Sequence, residues 1–372
     1  MIYRVLQFAS PPGGKCCAFS GSNLVRHEPK SGFGVWLILL LSVACAKEER
    51  LPQPAFYHWE ARLELSEAER ALLDHTGARR LYLRFFDIDW PAGAAGPAPV
   101  SWLEVGAPPP KNLEVVPVVF ITNQTFERLP EAEVEALARQ TVRALRSTAG
   151  DWARPVEWQF DCDWTEATRT KFFAFIRAVK ATVEQPVSVT IRLHQLRYPE
   201  RTGIPPADRG MLMFYNMGDL YDWDEPNSIL NLSKAAPYLR GAPPYPLPLD
   251  LALPAYRWGV AYRHDRLLLL MHGLDAGDLR DSSRFAALGP GRFELLKSTY
   301  IDGYYLYAGD RIRLEAAPAD SLRRALDQLR RCGLLCGARH LAFYHLEDKL
   351  TKRYARDFWE HLAAEGFIRR SP

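Results

Sequence analysis

The chain is predicted to be an α/β protein, a (β/α)8 TIM barrel with an inserted α+β segment after its seventh strand. Three observations lead there. Short strand-like runs alternate with amphipathic helical stretches across residues 55–372. One run, Glu157 to Thr165, places Glu157, Gln159, Asp161, Asp163 and Thr165 on one face and Trp158, Phe160, Cys162 and Trp164 on the other. A helical stretch bearing Phe172, Phe173, Phe175, Ile176 and Val179 follows at once. The apolar face of the strand then packs under helices, and the polar face must point into some other enclosed space. The lumen of a closed barrel, near the C-terminal ends of its strands, is such a space.

The elements follow in order. Phe56 to Trp59 reads as strand one. Ser66 caps the next helix with Glu69 as its capping-box partner; Leu72 and Leu73 form its apolar side and Gly77 ends it. Leu81 to Asp87 is strand two, ending in Asp87-Ile88-Asp89-Trp90, an echo of Asp161-Cys162-Asp163-Trp164. Residues 91–110, rich in Pro, Gly and Ala, form a loop where a helix is otherwise expected. Val115 to Phe120 is strand three, and Val134, Leu137, Ala138, Val142 and Leu145 mark the helix after it. The Glu157–Thr165 run is strand four. Val187 to His194 is strand five, with Ser188, Thr190, Arg192 and His194 on its polar face. Met211 to Asn216 is strand six and Leu249 to Tyr256 strand seven. Residues 259–316 are too long for a loop and carry strand-like runs, so they form the insertion. Leu322, Leu326 and Leu329 mark a helix, His340 to His345 is strand eight, and a last helix carries Leu350, Tyr354, Phe358 and Leu362.

With 372 residues, 48% of them hydrophobic, the chain can bury a large core. A formal charge of +3 without a basic run argues against nucleic acid as a partner. Residues 1–44 read as a signal peptide with a spurious extension at its start. Val35 to Cys45 is an apolar run ending in small residues and Cys, preceded by Arg26 and Lys30. It is too short to favour a membrane span. Leu41-Ser42-Val43-Ala44-Cys45 resembles a bacterial lipobox, which implies a lipidated Cys45 at the mature N-terminus; an uncleaved signal anchor is the alternative. Residues 45–54 then form a lipid-anchored linker. Lys47-Glu48-Glu49 is similar to the signal that sends some Gram-negative lipoproteins to the outer surface, and fits a solvated linker equally well. The expected location is the bacterial cell envelope, at the outer membrane. Of the remaining cysteines, Cys162, Cys332 and Cys336, the last two are expected to be buried thiols, although an oxidising compartment permits a bridge.

Three strand motifs together resemble the chitinase-type glycoside hydrolases, family eighteen, and their inactive relatives. That family carries Asp-x-x-Asp-x-Asp-x-Glu on strand four, Met-x-Tyr-Asp or Met-x-Tyr-Asn on strand six, and Pro-x-Tyr near the end of strand seven. Here the matching residues are Asp161-Cys162-Asp163-Trp164-Thr165, Met213-Phe214-Tyr215-Asn216 and Pro254-Ala255-Tyr256. Order and placement agree over most of residues 56–346. The resemblance implies that Asp163 steadies a substrate acetamido group, that Tyr215 helps to hold it, and that Asp161, Asp163 and Tyr215 are the catalytic set. The chain departs from the pattern at both ends of strand four: the first Asp is Trp158 and the proton-donating Glu falls on Thr165. Glu166 is one residue late, which on a strand turns a side chain to the opposite face. A divergent bacterial lipoprotein family lacking the catalytic Glu fits this pattern.

Glycoside hydrolysis needs a general acid, and losing one typically costs roughly 10²–10⁴-fold in rate. The residues therefore argue for a saccharide-shaped site more strongly than for hydrolysis. Asn216, Tyr256, Arg84, Arg192, Asp87 and Trp164 are the candidate substrate-binding residues. Replacement acids could come from Asp87, Asp89, the Asp219, Asp222, Asp224 and Glu225 loop, or Glu347; solvated loop acids are the plainer reading of these. Arg84 and Arg192 could equally be buried charge partners of Asp161 and Asp163. Three functions stay open: a barrel that binds and hydrolyses a glycan, an inactive glycan-binding or protein-scaffold barrel, and a metal-dependent hydrolase using Asp87, Asp89, Asp161 and Asp163. No His-x-His or His-Glu-x-x-His spacing occurs, so no metal is expected, and His58, His194 and His345 read as core histidines. No cofactor is implied.

Overall fold

The structure is a computed structural model that describes residues 51–347, Tyr354 and residues 356–368. The signal segment, Cys45 and residues 46–50 of the linker lie outside the described residues. Eight parallel strands close on themselves: β1 (Gln53–His58), β2 (Arg80–Asp89), β3 (Glu114–Ile121), β4 (Trp158–Asp161), β5 (Val187–Ile191), β6 (Arg209–Met213), β7 (Leu249–Pro254) and β8 (His340–Tyr344). Each pairs with its neighbours in sequence order, and β1 pairs with both β2 and β8, which completes the barrel. A short strand, Ala98–Val100, adds an antiparallel rung to the end of β2 and ties down the Pro-rich loop. β1 starts at Gln53, inside the stretch read as linker.

Local chemistry explains the helices that sheathe the barrel. Helix Glu67–Thr76 starts at Ser66, whose hydroxyl accepts from the Glu69 amide at 3.1 Å while the Glu69 carboxylate accepts from the Ser66 amide at 2.8 Å. It ends at Gly77 in the left-handed region (φ 67°), which a glycine adopts without steric cost. Helix Val134–Ala149 buries Val134, Leu137, Ala138, Val142 and Leu145. Helix Arg169–Lys180 buries Phe172, Phe175, Ile176 and Val179.

β4 keeps the expected register but is shorter than expected. Gln159 points inward, accepting from the Tyr57 hydroxyl at 2.6 Å and donating to Ser188 Oγ at 3.2 Å. Phe160 packs edge-on against Phe175 outside the barrel. The chain leaves the ladder after Asp161. β5 likewise stops at Ile191, so His194 sits in the short helix Leu193–Arg197 and not on a strand face.

Charge closes the lower end of the barrel. Asp250 accepts from Arg209 Nε at 3.1 Å and Nη2 at 2.8 Å, and from the backbone amides of Arg339 and His340 at 2.7 and 3.0 Å. Burial opposes the Asp250 charge, and His340 and Arg209 outweigh it, holding the carboxyl well below the usual range. Beside it Arg80 bridges Glu114 and Glu157.

The insertion follows β7 and its regular structure is β throughout, so the mixed α+β character expected for it is corrected. Five antiparallel strands (Arg257–Arg263, Arg266–His272, Phe285–Gly289, Arg292–Leu295 and Arg311–Ala316) form one sheet, and Thr299–Ile301 with Tyr304–Leu306 form a hairpin. Met271, Leu274, Phe285, Leu295, Leu306 and Ile312 supply a core of its own. Cys332 and Cys336 are exposed, not buried. Helix Ala319–Arg331 ends just before them, and Gly333 (φ 73°) turns the chain off its apolar stripe. Among the described residues no helix is long and apolar enough to cross a membrane.

Candidate functional site

The C-terminal ends of the strands form a mouth lined by rings and by alternating charge. Asp161, the last residue of β4, points inward and accepts from Thr190 Oγ1 at 2.7 Å. Two residues on, Asp163 lies beyond the ladder but keeps the inward direction. Arg192, just past the end of β5, donates to it from Nε at 2.5 Å and from Nη2 at 3.2 Å. Burial works against the Arg192 charge, and Asp163 and Asp161 more than restore it. Burial also lifts the Asp161 carboxyl to about 6; Arg192 and Thr190 pull it down, while Asp163 and Asp87 push it up. Asp163 is the more open of the two acids, with a third of its side chain exposed.

A second Arg–Asp pair stands at the end of β2. Arg84 Nε and Nη2 donate to the two Asp87 oxygens at 2.7 and 2.6 Å. A bulge between Arg84 and Phe86 brings both side chains to the same side of the strand. Burial raises the Asp87 carboxyl despite the Arg84 contacts. The Arg84 guanidinium also lies 5.8 Å from the Trp59 ring centroid.

Aromatic rings fill the space between these pairs. Tyr344, at the end of β8, stacks on Tyr215 at 5.3 Å and lies 5.4 Å from Trp59 and 5.6 Å from Tyr256. Arg192 approaches the Tyr215 ring at 5.9 Å. Tyr256 donates its hydroxyl to Asn216 Oδ1 at 2.5 Å. Asn216 has φ 57°, a backbone region that Asn tolerates better than most residues, and its amide donates to Ile229 O at 2.7 Å. Trp59 and Tyr344 are only half-buried, whereas Tyr215 and Tyr256 are nearly enclosed.

The expected site residues thus divide. Asp161, Asp163, Arg192 and Tyr215 come together; Arg84 with Asp87, and Asn216 with Tyr256, flank them. Trp164 does not belong to the mouth. It is wholly buried, stacks on Phe172 at 5.0 Å and donates from Nε1 to Thr202 O at 3.0 Å. Odd positions of this segment face the lumen, and Trp164 is an even one. Thr165 turns into the start of helix Arg169–Lys180, its amide donating to Thr168 Oγ1 at 2.9 Å. Glu166 faces solvent and lies 3.6 Å from Arg201. Glu225 is committed to Lys234, Asn231 and the Asp219 amide. Trp59 and Tyr344 were not foreseen; their signal in the sequence is an aromatic residue at a strand end, in phase with an inward neighbour such as Tyr57.

Among the described residues no three His, Cys, Asp or Glu side chains gather closely enough to hold a metal ion, so the convergence of Asp87, Asp89, Asp161 and Asp163 that a metal site needs is not met. Asp89 instead accepts from Thr122 Oγ1 and from the Trp90 amide, both at 2.8 Å.

No known family description matches the chain, and no curated protein matches it. Several solved structures resemble it. The Bacillus cereus spore cortex-lytic enzyme SleL is 12% identical, with 87% of this chain and 75% of that one covered and a TM-score of 0.49. A chitinase from Chromobacterium violaceum is 16% identical over 86% of this chain and 100% of that one, TM-score 0.49. The Group IV chitinase of Ostrinia furnacalis is 9% identical over 85% and 99%, TM-score 0.48. The barrel assignment itself stands on the strand pairings given above.

Proposed function

We propose that this barrel binds a glycan in its mouth and does so from the bacterial cell envelope, anchored through a lipid on Cys45. The observation that carries the reading is the half-open Asp163–Arg192 pair set beside a wall of four rings, Trp59, Tyr344, Tyr215 and Tyr256. Concave sites lined by rings with a few fixed polar groups suit ligands that are apolar on one face and hydroxylated on the rim. The strand-six and strand-seven motifs supply two of those rings, which agrees with the sequence resemblance. The anchor rests on the Leu41-Ser42-Val43-Ala44-Cys45 ending.

Binding without cleavage is the favoured form. Thr165 stands where the resemblance expects a proton donor, Glu166 points to solvent, and Asp87 is clamped by Arg84. One feature favours hydrolysis as a second reading: burial lifts the carboxyl of the inward-facing Asp161 to about 6, toward the range a general acid needs. A panel of labelled oligosaccharides, read for both capture and release, separates the two. Capture without release, weakened by Tyr215→Ala, is the expected result. Release that disappears in Asp161→Asn establishes the second reading. Wild-type protein that neither captures nor releases any panel member overturns both.

A further inference from the structure

The insertion meets the mouth at one buried carboxylate. Glu315, on strand Arg311–Ala316, has a fully enclosed side chain. It accepts from Trp258 Nε1 at 2.8 Å, from Arg313 Nε at 2.6 Å and from the Ser228 hydroxyl. Those three donors come from different segments. Trp258 opens the insertion two residues after Tyr256, and the two rings lie 5.3 Å apart. Ser228 belongs to the loop after β6. Within that loop Ile229 O accepts from the Asn216 amide at 2.7 Å and Ser228 O accepts from the Gly218 amide at 3.1 Å. A Cβ on Gly218 would lie 2.6 Å from the Ser228 Cα, so the two arms of the loop pack as closely as glycine allows. Next to Ser228, Asn227 Nδ2 donates to Ala316 O at 2.7 Å, a second tie to the Glu315 strand.

Both sides of the Tyr256–Asn216 hydrogen bond therefore rest on Glu315. Tyr256 is backed by Trp258, and Asn216 is held by the loop that Ser228 pins. We infer that Glu315 is a positioning residue of the mouth, fixing the Tyr256–Asn216 wall from inside the insertion. This rests on the reading of the mouth as a ligand site.

Stability alone does not account for the residue. Arg313, 1% exposed, gives Nη1 to Asp222 O, and its Nη2 has no hydrogen-bond partner. An enclosed ion pair left with an unsatisfied donor is no more stabilising than a well-packed apolar pair of the same volume. What an apolar pair does not do is accept from Trp258 and Ser228 together; an ionised carboxylate has acceptor sites for both and for Arg313 as well.

The double variant Arg313→Met/Glu315→Leu tests this, because it keeps the insertion packed while removing the acceptor. In nuclear magnetic resonance spectra of the unliganded protein, the Trp258 indole N–H and the Asn216 side-chain amide signals are expected to move, and the thermal midpoint falls because the buried Trp258 and Ser228 donors lose their acceptor while the packing and the charge balance are kept. Affinity for a captured oligosaccharide falls about tenfold, the size of one lost polar contact. Glu315→Gln, which retains an acceptor oxygen, recovers most of the affinity and serves as the second variant where the double variant does not fold. A folded double variant whose Asn216 amide signals match the wild type overturns the inference. Wild-type protein that captures no oligosaccharide overturns the functional reading alone, since the Asn216 signals still decide the positioning role.

Discussion

Arg192 grips Asp163 through two nitrogens, Nε at 2.5 Å and Nη2 at 3.2 Å, across the gap between the ends of β4 and β5. The pair is unequal. Arg192 is the more enclosed partner, and it faces Asp161 as well as Asp163. A ligand that reaches the mouth therefore meets a carboxylate whose geometry is already set by a guanidinium. Any hydrogen bond it makes to Asp163 uses the lone pairs Arg192 leaves open.

Arg192→Met tests how far that guanidinium reaches. It removes the main group that draws the Asp161 carboxyl down, while Asp163 and Asp87 continue to push it up. The Asp161 titration, followed by carboxyl carbon-13 resonances, should move above about 6. A titration that stays in place in the variant contradicts this account of the site.

Asp161 gives a pH signature in stability. Its carboxyl is raised in the folded protein, so its contribution is fully present below the ordinary carboxylate pKa of about 4 and is lost as pH rises to about 6. Asp161→Asn should thus gain stability over the wild type above pH 6, on the order of 2 kcal/mol, and gain none below pH 4. Denaturant titrations at pH 4 and pH 7 check the difference; a variant less stable than wild type at pH 7 contradicts it.

His58 works in the opposite direction. Burial, with His345 nearby, lowers it to about 4, and its Nδ1 has no hydrogen-bond partner. The folded protein holds it neutral where the unfolded chain takes up a proton, so stability falls as pH drops from about 6.5 to about 4. The Asp161 and His58 slopes partly cancel in the wild type. His58→Gln should remove the His58 share of the acid-side loss, so that its stability curve falls less steeply than the wild-type curve between about pH 6.5 and about 4. A His58→Gln curve parallel to the wild-type curve shows that His58 is not the titrating group.

These pairings mark the boundary of what could be read from residues in a row. The inward direction of Gln159, Asp161 and Asp163 follows from a strict period of two, because a one-residue slip would bury charges under helices. The barrel follows from the alternation of such runs with amphipathic helices. Where a strand stops is a different matter: Cys162 to Trp164 continue the alternation after the ladder has ended, and Arg192 begins a helix that its neighbours do not announce. The site roles assigned to Arg84 and Arg192 could not be told from charge pairing, since an arginine on a polar strand face suits either. Trp59 and Tyr344 carry no periodic mark, because each is a single ring at a strand end. Free cysteines are usually buried, which is the ground for expecting buried thiols at Cys332 and Cys336, but both follow the end of helix Ala319–Arg331, where the turn at Gly333 leaves them exposed.

The anchor has a direct test. Cys45→Ser removes the thiol that would carry the lipid. Two acyl chains give stable membrane attachment where a single chain does not, so the wild type should sediment with membranes and the variant should be released or remain unprocessed in size. Mature-sized variant protein in the membrane fraction rules out lipid at Cys45 as the attachment.

The Asp250–Arg209 pair supplies the last prediction, at the end of the barrel opposite the mouth. Both side chains are at most 8% exposed, and Asp250 also accepts from two backbone amides and lies 3.4 Å from His340 Nδ1. Removing one member of such a pair leaves its partner's charge buried, which typically costs about 3–5 kcal/mol. Asp250→Ala should lose that much by denaturant titration, with the additional orphaning of the Arg339 and His340 amides placing it at the upper end. Asp250→Asn keeps the shape and one acceptor and should lose less. The double variant Arg209→Met/Asp250→Leu separates charge from packing: it removes both ions, so it should recover most of the stability lost in Asp250→Ala except the part owed to the two amides. Oligosaccharide capture should be unchanged in every variant that stays folded, because the pair stands at the strand starts and the proposed site at the strand ends. A double variant as unstable as Asp250→Ala would mean that the amides, and not the ion pair, are what Asp250 holds.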